Sequence, residues 1–424
     1  MLKELVSLYR KTSLISLRYF IVFIVTFFIN IFVNRLDLTT MSYFYAVILI
    51  MHFIKESGEA LGDLVSIYIL KKPSKSNNAG HLKTFLIFLV IFILFTSVLI
   101  IIFRNQIFNN ILGIVVIDNY RFLYLMIVSY IISVPTLYLQ DYLKFTSKFK
   151  EYLNTSLFFN FILITLFFGL GIFNNSIDNF AYANVIASFF TIALTFNYIR
   201  NDKKTGFDPT YLLTRKLYKF KDSLYSSVKI LLQYTCMYFR IFVKSLIMIK
   251  ISLELFNTNE FLLKVFWIFQ GITEALITPI NIKLTSLAAE NKEKAFEYGK
   301  RAFKLIVINQ LFLCLLYLIF RDLILGFIHP EVYIIARKVD IFLLAFSSLM
   351  IIDWALSYNI LIRNNKIGMT AFLESLMFAS FILFLALLQL DIISGMYLTL
   401  ILMNGVVLIR IIINVIYLYS KKWL

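Results

Sequence analysis

The chain has 424 residues, of which 60% are hydrophobic, 17% aromatic and only 15% charged. Apolar runs of about 18 or more residues recur along its whole length, and each could cross roughly 30 Å of hydrocarbon as a helix. This pattern excludes a soluble domain, and it excludes an outer-membrane barrel, whose strands alternate over segments of about ten residues. The composition predicts an all-α polytopic membrane protein embedded in a lipid bilayer.

The apolar runs predict about twelve transmembrane helices that are separated by short polar loops. In chain order they lie at 13–34, 40–70, 83–103, 121–142, 154–175, 179–199, 225–253, 261–289, 304–325, 338–362, 368–390 and 395–418. The longest loop leaves half of the spans on each side, which is typical of two pseudo-symmetric six-helix bundles. We therefore expect an N-terminal lobe over 1–199, a cytoplasmic linker over 200–224 and a C-terminal lobe over 225–424.

The formal net charge of +17 comes mainly from Lys and Arg in the predicted loops and tails. With the N-terminus inside, Lys and Arg concentrate in the inward loops, above all in 71–83, 144–150 and 200–221, and are sparse in the outward loops. This is the positive-inside rule, and it accounts for the basic excess without a nucleic-acid partner. The asymmetry predicts a multi-pass protein of the cell membrane with both termini in the cytoplasm.

An acidic stripe lies within the second predicted span, in "HFIKESGEALGDL" (52–64). At 100° per residue, one helix face is shared by His52, Glu56, Glu59 and Asp63. An unpaired charge at the bilayer centre costs about 2.5–3.5 kcal/mol or more. The stripe is therefore either structural, with internal pairs such as Lys55 with Glu59, or it lines a pathway for protons or cations. Gly58 and Gly62 form a GxxxG motif, which allows close approach of another helix.

The seventh predicted span carries the opposite charge, in "VKILLQYTCMYFRIFVKSLIMIK" (228–250). One face of this helix is shared by Lys229, Gln233, Arg240 and Lys244. Lys229 can extend its ammonium to the inner surface, whereas Arg240 lies too deep in the span to do so. If the two halves face each other, this basic face predicts either a salt-bridge latch with the acidic stripe or a latch that binding or protonation opens.

Two further acids lie within predicted spans. Glu274 precedes Pro279, whose missing N–H frees a backbone carbonyl, so this stretch is either a structural kink or a coordination site. Asp353 is the only charged residue in "SSLMIIDWALSYNI" (347–360), where Trp354 follows it. A lone carboxylate in a span must be protonated, paired or bound to a cation.

The signatures of an enzyme are absent from the sequence. There is no GxxxxGK[ST] motif for a nucleotide, and the three His do not show metal-ligand spacing. No long external loop carries catalytic residues. We therefore expect neither a catalytic residue nor a metal site, no cofactor beyond H+ or Na+ as coupling ion, and a monomer.

The stretch "FIHPEVYIIARKVDIFLLAFSSLMIIDWALSYNILIRNNKIG" (327–368) has PEV before the tenth span, an Asp within it and an Arg near its inner end. It resembles the MATE (multidrug and toxic compound extrusion) family, and 271–305 is similar to that family's eighth span and following loop. The resemblance implies twelve helices in two halves and makes Asp353 a candidate cation-coupling carboxylate. The chain departs from the family at two places. Asn364 follows Arg363 where the family has Gly. Arg240 lies near the position at which one branch of the family carries a coupling glutamate, which this chain lacks.

The segment "VNRLDLTTMSYFYAVILI" (33–50) resembles the start of the second span in flippases of lipid-linked oligosaccharides, from the same wider superfamily. Their pyrophosphate-bearing substrates would suit the basic face of the seventh span. Two functions are therefore predicted. The first is export of a small amphipathic or cationic compound by alternating access with proton or sodium antiport. The alternative is flipping of a lipid-linked oligosaccharide or another polyprenyl-linked precursor; a channel or a scaffold is less favoured.

The predicted site residues form two sets. The candidates for proton or cation coupling are Asp353, Glu59, Glu56, Asp63 and Glu274. The candidates for the lining of a central substrate cavity are His52, Gln233, Arg240, Lys244, Gln270 and Trp354.

Overall fold

The computed structural model of the chain describes residues 2–71, 75–116, 119–145, 148–172, 176–200, 220–356, 367–390 and 395–420. Within these residues the chain forms twelve α-helices and no β-strand, which confirms the predicted all-α class. In chain order the helices are α1 (Leu2–Val33), α2 (Leu38–Lys71), α3 (Lys75–Ile102), α4 (Arg121–Phe145), α5 (Phe149–Gly171), α6 (Asp178–Arg200), α7 (Phe220–Ile251), α8 (Leu253–Glu290), α9 (Lys292–Leu325), α10 (Pro330–Trp354), α11 (Ile367–Gln389) and α12 (Met396–Ser420). A π-helical turn, Gln106–Leu112, lies between α3 and α4.

Nine helices of the described part of the chain are long and apolar enough to cross a membrane, namely α2 to α7, α9, α11 and α12. Large apolar side chains on these helices are exposed, among them Phe161 on α5 and Leu311 on α9. Only 22% of the apolar stretch of α9 is buried inside the protein. Because so much apolar surface is stable only in an apolar solvent, the helices form a multi-pass membrane protein.

The junction between α7 and α8 differs from the prediction. Residues 254–260 are predicted to be a polar outward loop, but α8 already begins at Leu253, where the Ser252 side chain accepts a hydrogen bond from the Leu255 N–H at 3.0 Å. Three of the polar residues that suggested a loop, Asn257, Asn259 and Glu260, are buried and hydrogen-bonded. Asn257, for example, donates to Ser42 Oγ at 2.9 Å. A buried polar residue with a partner can stay inside a helix, so polarity did not mark a loop here.

The helices group into two compact units. The C unit comprises Met1–Ser42 and Phe239–Leu424, and the N unit comprises Tyr43–Tyr238. In the C unit, α1 packs against α8, and α8 also packs against α9 and α10. In the N unit, α6 packs against α4 and α5. Hydropathy locates spans without showing which neighbours they contact, so the lobes over 1–199 and 225–424 stay a prediction.

The GxxxG motif of α2 lies at a close contact inside the N unit. A Cβ atom on Gly58 would lie 2.4 Å from Val134 Cγ1, and one on Gly62 would lie 2.7 Å from Asp141 Oδ2. Val134 and Asp141 both belong to α4. The two glycines therefore let α2 and α4 approach more closely than any larger side chain would permit, as the motif predicts.

Candidate functional site

Four charged side chains and one amide meet in the interior of the C unit. Arg240 comes from α7, Asp353 from α10, Glu374 from α11, and Arg410 and Asn414 from α12. Each of them is at most 4% exposed. We call these five residues the ion cluster; they tie four helices of the C unit together.

Glu374 is the bridge of the ion cluster. Its Oε2 lies 2.8 Å from Arg240 Nη1, and its Oε1 lies 2.7 Å from Arg410 Nη1. The same nitrogens of the two arginines also approach Met377 Sδ, at 2.8 and 3.2 Å. A thioether is a weak acceptor, so the carboxylate of Glu374 provides most of the compensation for both guanidinium groups at this point.

Asp353 has no charged neighbour in the last turns of α10, but it has partners in the folded protein. Arg410 Nε lies 3.1 Å from Asp353 Oδ1, which is an ion-pair distance without the alignment of a hydrogen bond. Asn414 Nδ2 donates to the same oxygen at 3.0 Å. An ion pair therefore joins Asp353 to Arg410 across α10 and α12.

The charges of the ion cluster balance, since Arg240 and Arg410 face Asp353 and Glu374. Buried ion pairs contribute little net stability, because desolvation offsets their attraction. Removing one partner, however, leaves an uncompensated buried charge and costs about 3–5 kcal/mol. The cluster therefore specifies one arrangement of α7, α10, α11 and α12 more than it strengthens the fold.

Lys244, one turn from Arg240 on α7, belongs to a second buried group. Its Nζ donates to Asn259 Oδ1 at 2.9 Å and lies 5.1 Å from the ring centre of Phe346. Asn259 Nδ2 in turn donates to Glu260 Oε1 at 2.9 Å. The positive charge of Lys244 is thus connected to a carboxylate through an amide, within the stretch that was predicted to be a loop.

No protein-family model and no curated protein matches the sequence. Solved structures do match, over nearly the whole chain. The eukaryotic MATE transporter AtDTX14 is similar with a TM-score of 0.72 at 15% identity, covering 97% of this chain and 96% of that one. A MATE transporter from Vibrio cholerae gives 0.68 at 13% identity, and a MOP superfamily transporter from Pyrococcus furiosus gives 0.69 at 12%, each covering 98% of this chain and 96% of the other. The chain has the MATE fold.

The acidic stripe of α2 occupies the second helix of this MATE fold. His52 and Glu56 are half-buried, and both take part in polar or ring contacts. The side chains of Glu59 and Asp63 lie outside the described part of the chain. The structure adds one carboxylate that the sequence analysis missed, Asp141 of α4, which packs against Gly62 in the GxxxG contact.

The remaining candidates are distributed over both units of the MATE fold. Gln233 is buried in the N-unit part of α7. Trp354 packs against an apolar group in the C unit, formed by Ile277, Ile306 and Ala355. The side chains of Gln270 and Glu274 lie outside the described residues. Trp354 therefore has a packing role, whether or not it also lines a cavity.

Sequence reasoning found Arg240 and Asp353 but missed the two residues that join them. Glu374 and Arg410 each lie in a long apolar helix, Ile367–Gln389 and Met396–Ser420. The signal was available, because a single charge in an apolar span is rare unless it faces a partner. Applying this rule to every span, and not only to the tenth, would have identified both residues.

Proposed function

We propose that the chain is a secondary active transporter that exports a small amphipathic compound across the cell membrane by alternating access, with proton or sodium antiport. The observation that carries the proposal is the MATE fold over 97–98% of the chain. Alternating access needs groups of helices that move as bodies. The ion cluster supports this requirement, because it joins four helices of the C unit through specific contacts.

We assign ion coupling to the acidic stripe of α2. The stripe has more carboxylates than cations, with Glu56, Glu59 and Asp63 near Lys55. Asp141 adds another carboxylate beside Gly62. Carboxylates within a membrane can take up protons or cations, and this uptake and release can differ between inward- and outward-open states.

An efflux assay tests this proposal in cells. Cells that produce the protein should accumulate less ethidium than cells without it, and an ionophore that collapses the coupling gradient should abolish the difference. Glu56→Gln should reduce efflux more than it reduces the amount of protein in the membrane. Glu297→Gln is the matched control, because Glu297 is exposed and pairs only with Arg301 on the surface of α9. Equal ethidium levels with and without the wild-type protein would argue against export of amphipathic cations.

The flippase remains the second candidate, and one observation favours it. Four buried cationic side chains, Arg240, Lys244, Lys264 and Arg410, lie in the described part of the C unit. In the Pyrococcus furiosus transporter of the same fold, a reversed polarity of the binding pocket suggests a different function. In liposomes, a flippase would move a fluorescent polyprenyl-pyrophosphate oligosaccharide from one leaflet to the other, whereas an exporter of amphipathic cations would not.

A further inference from the structure

Arg410 lies between the two carboxylates of the ion cluster. Its Nη1 is 2.7 Å from Glu374 Oε1, and its Nε is 3.1 Å from Asp353 Oδ1. Asn414, one turn further along α12, donates to the same Asp353 oxygen at 3.0 Å. The guanidinium thus takes the central position in a set of side chains that carry oxygen atoms. Oxygen-rich sets of this kind are what hard metal cations prefer as ligands.

The net charge of the ion cluster decides whether a metal cation could bind there beside Arg410. Arg240 and Arg410 contribute +2, and Asp353 and Glu374 contribute −2, so the ion cluster is neutral. All four residues are at most 4% exposed. A further cation would remain uncompensated in an environment where unpaired charge is costly.

We propose that Arg410 is a tethered counter-cation in a latent site for a monovalent metal cation, and that Asp353 therefore binds no coupling ion in this chain. The second clause rests on the proposed transport function; the first does not. Without the guanidinium of Arg410, Arg240 compensates only one of the two carboxylates, and a net charge of −1 remains. One sodium ion, with Asp353, Glu374 and Asn414 around it, restores neutrality.

Thermal unfolding of the purified protein in detergent tests the latent site. The unfolding midpoint is compared in NaCl and in choline chloride at equal ionic strength, because choline is too large for the site. The difference between the two salts in the wild type sets the baseline, and Asp353→Asn should leave it unchanged, because ion coupling is assigned to α2. Arg410→Met should unfold at a lower temperature in choline chloride and recover by about 2 °C or more in NaCl. Arg410→Lys, which keeps the positive charge, should show no sodium-specific recovery.

A double variant provides the second arm of the test. Asp353→Asn combined with Arg410→Met leaves Arg240 with Glu374 and is neutral again, so its midpoint should depend on sodium no more than that of the wild type. A sodium-specific rise in the wild type that Asp353→Asn removes would overturn the proposal, since Asp353 would then already bind the ion. A folded Arg410→Met protein with equal midpoints in both salts would overturn it as well. If Arg410→Met does not fold, Arg410→Gln replaces it in the same comparison, because Gln is also uncharged, and the wild type with Asp353→Asn still tests whether Asp353 binds the coupling ion.

The consequence for transport is measured separately. If the proposed function holds, the double variant should retain gradient-driven transport in proteoliposomes, because its ion cluster is neutral and coupling lies elsewhere. Loss of transport in a folded double variant would contradict the assignment of coupling away from Asp353. Absence of transport in the wild type would argue against the proposed function alone, since the sodium-dependent midpoints of Arg410→Met do not depend on transport.

Discussion

At the scale of single residues, the decisive feature is that isolated charges in different helices compensate one another. Asp353 is the only charged residue in the apolar last turns of α10, and the sequence correctly indicates that it needs a partner. Hydropathy cannot identify that partner, because Arg410 lies on α12 and the whole of α11 separates it from Asp353 in the sequence. The requirement for compensation was predictable, but the pairing was not.

Glu374→Gln tests the ion cluster directly. The change removes the carboxylate that both arginines contact, so Asp353 alone remains to compensate two buried guanidinium groups. We expect the free energy of unfolding in detergent to fall by about 3–5 kcal/mol. The matched control, Glu297→Gln, removes one partner of an exposed pair and should change it by about 1 kcal/mol or less. Equal effects of the two changes would show that the buried charges are not coupled.

At the scale of helices, the sequence predicts the spans well and their ends less well. Apolar composition determines where a helix crosses the membrane, so all twelve predicted spans correspond in order to helices. The ends depend on caps and on buried polar contacts, which have no periodic signature. α8 begins at Leu253 because Ser252 caps it and because Asn257 and Asn259 find partners in the interior.

Asp37 offers a test of a helix end. Its Oδ1 accepts from the Thr40 N–H at 2.9 Å and its Oδ2 accepts from Thr40 Oγ1 at 2.7 Å, before the first turn of α2. These bonds lower the pKa of Asp37 below its usual value. A lowered pKa means that the contribution to stability is present above the pKa of the unfolded chain and is lost as pH falls through that of the folded one.

Asp37→Ala should therefore cost about 1 kcal/mol at neutral pH and less in acid. Asp37→Asn keeps a side-chain cap but cannot titrate, so it should cost less at neutral pH, and its stability should change less on acidification. The measurement is the unfolding midpoint of the three proteins across a pH series. A penalty for Asp37→Ala that is the same at every pH would contradict the capping role of the carboxylate.

The close contact of α2 with α4 gives a steric prediction. Gly62→Ala would place a Cβ atom 2.7 Å from Asp141 Oδ2, so the Asp141 side chain or one of the helices must shift, and stability should fall by about 1–3 kcal/mol. Gly169→Ala on α5 is the control, because no atom outside its own helix backbone and neighbours lies within 4 Å of its Cβ position. Removing a helical glycine there should be neutral or stabilising by up to about 1 kcal/mol. A stable Gly62→Ala protein would mean that the helices have room to separate.

At the scale of the whole molecule, composition and charge predicted the class of protein, and the fold comparison added the architecture. The order of helices is the part of that architecture that a sequence expresses directly. The grouping of helices into the N and C units is a matter of side-chain contacts, such as those between α1 and α8, and no hydropathy pattern encodes them. Substrate and coupling ion depend on a few side chains and therefore remain proposals that need transport measurements.

Topology is testable without knowledge of the substrate. The positive-inside pattern places the loop around Lys204 in the cytoplasm and the loop around Asn175 outside. In a background without Cys236 and Cys314, a cysteine introduced at Lys204 should resist an impermeant thiol reagent in intact cells, and one at Asn175 should react. Permeabilised cells provide the control, since both positions should then be labelled. Labelling at Lys204 in intact cells would overturn the predicted orientation.

Uphill transport by the purified protein tests the central claim most directly. Proteoliposomes that contain only this chain are loaded so that either a proton or a sodium gradient is imposed, and ethidium is followed over time. We predict that ethidium becomes concentrated against its own gradient under at least one of the two ion gradients, and that dissipating that gradient releases it. Ethidium that stays at its equilibrium distribution under both gradients, with folded protein in the membrane, would contradict the account.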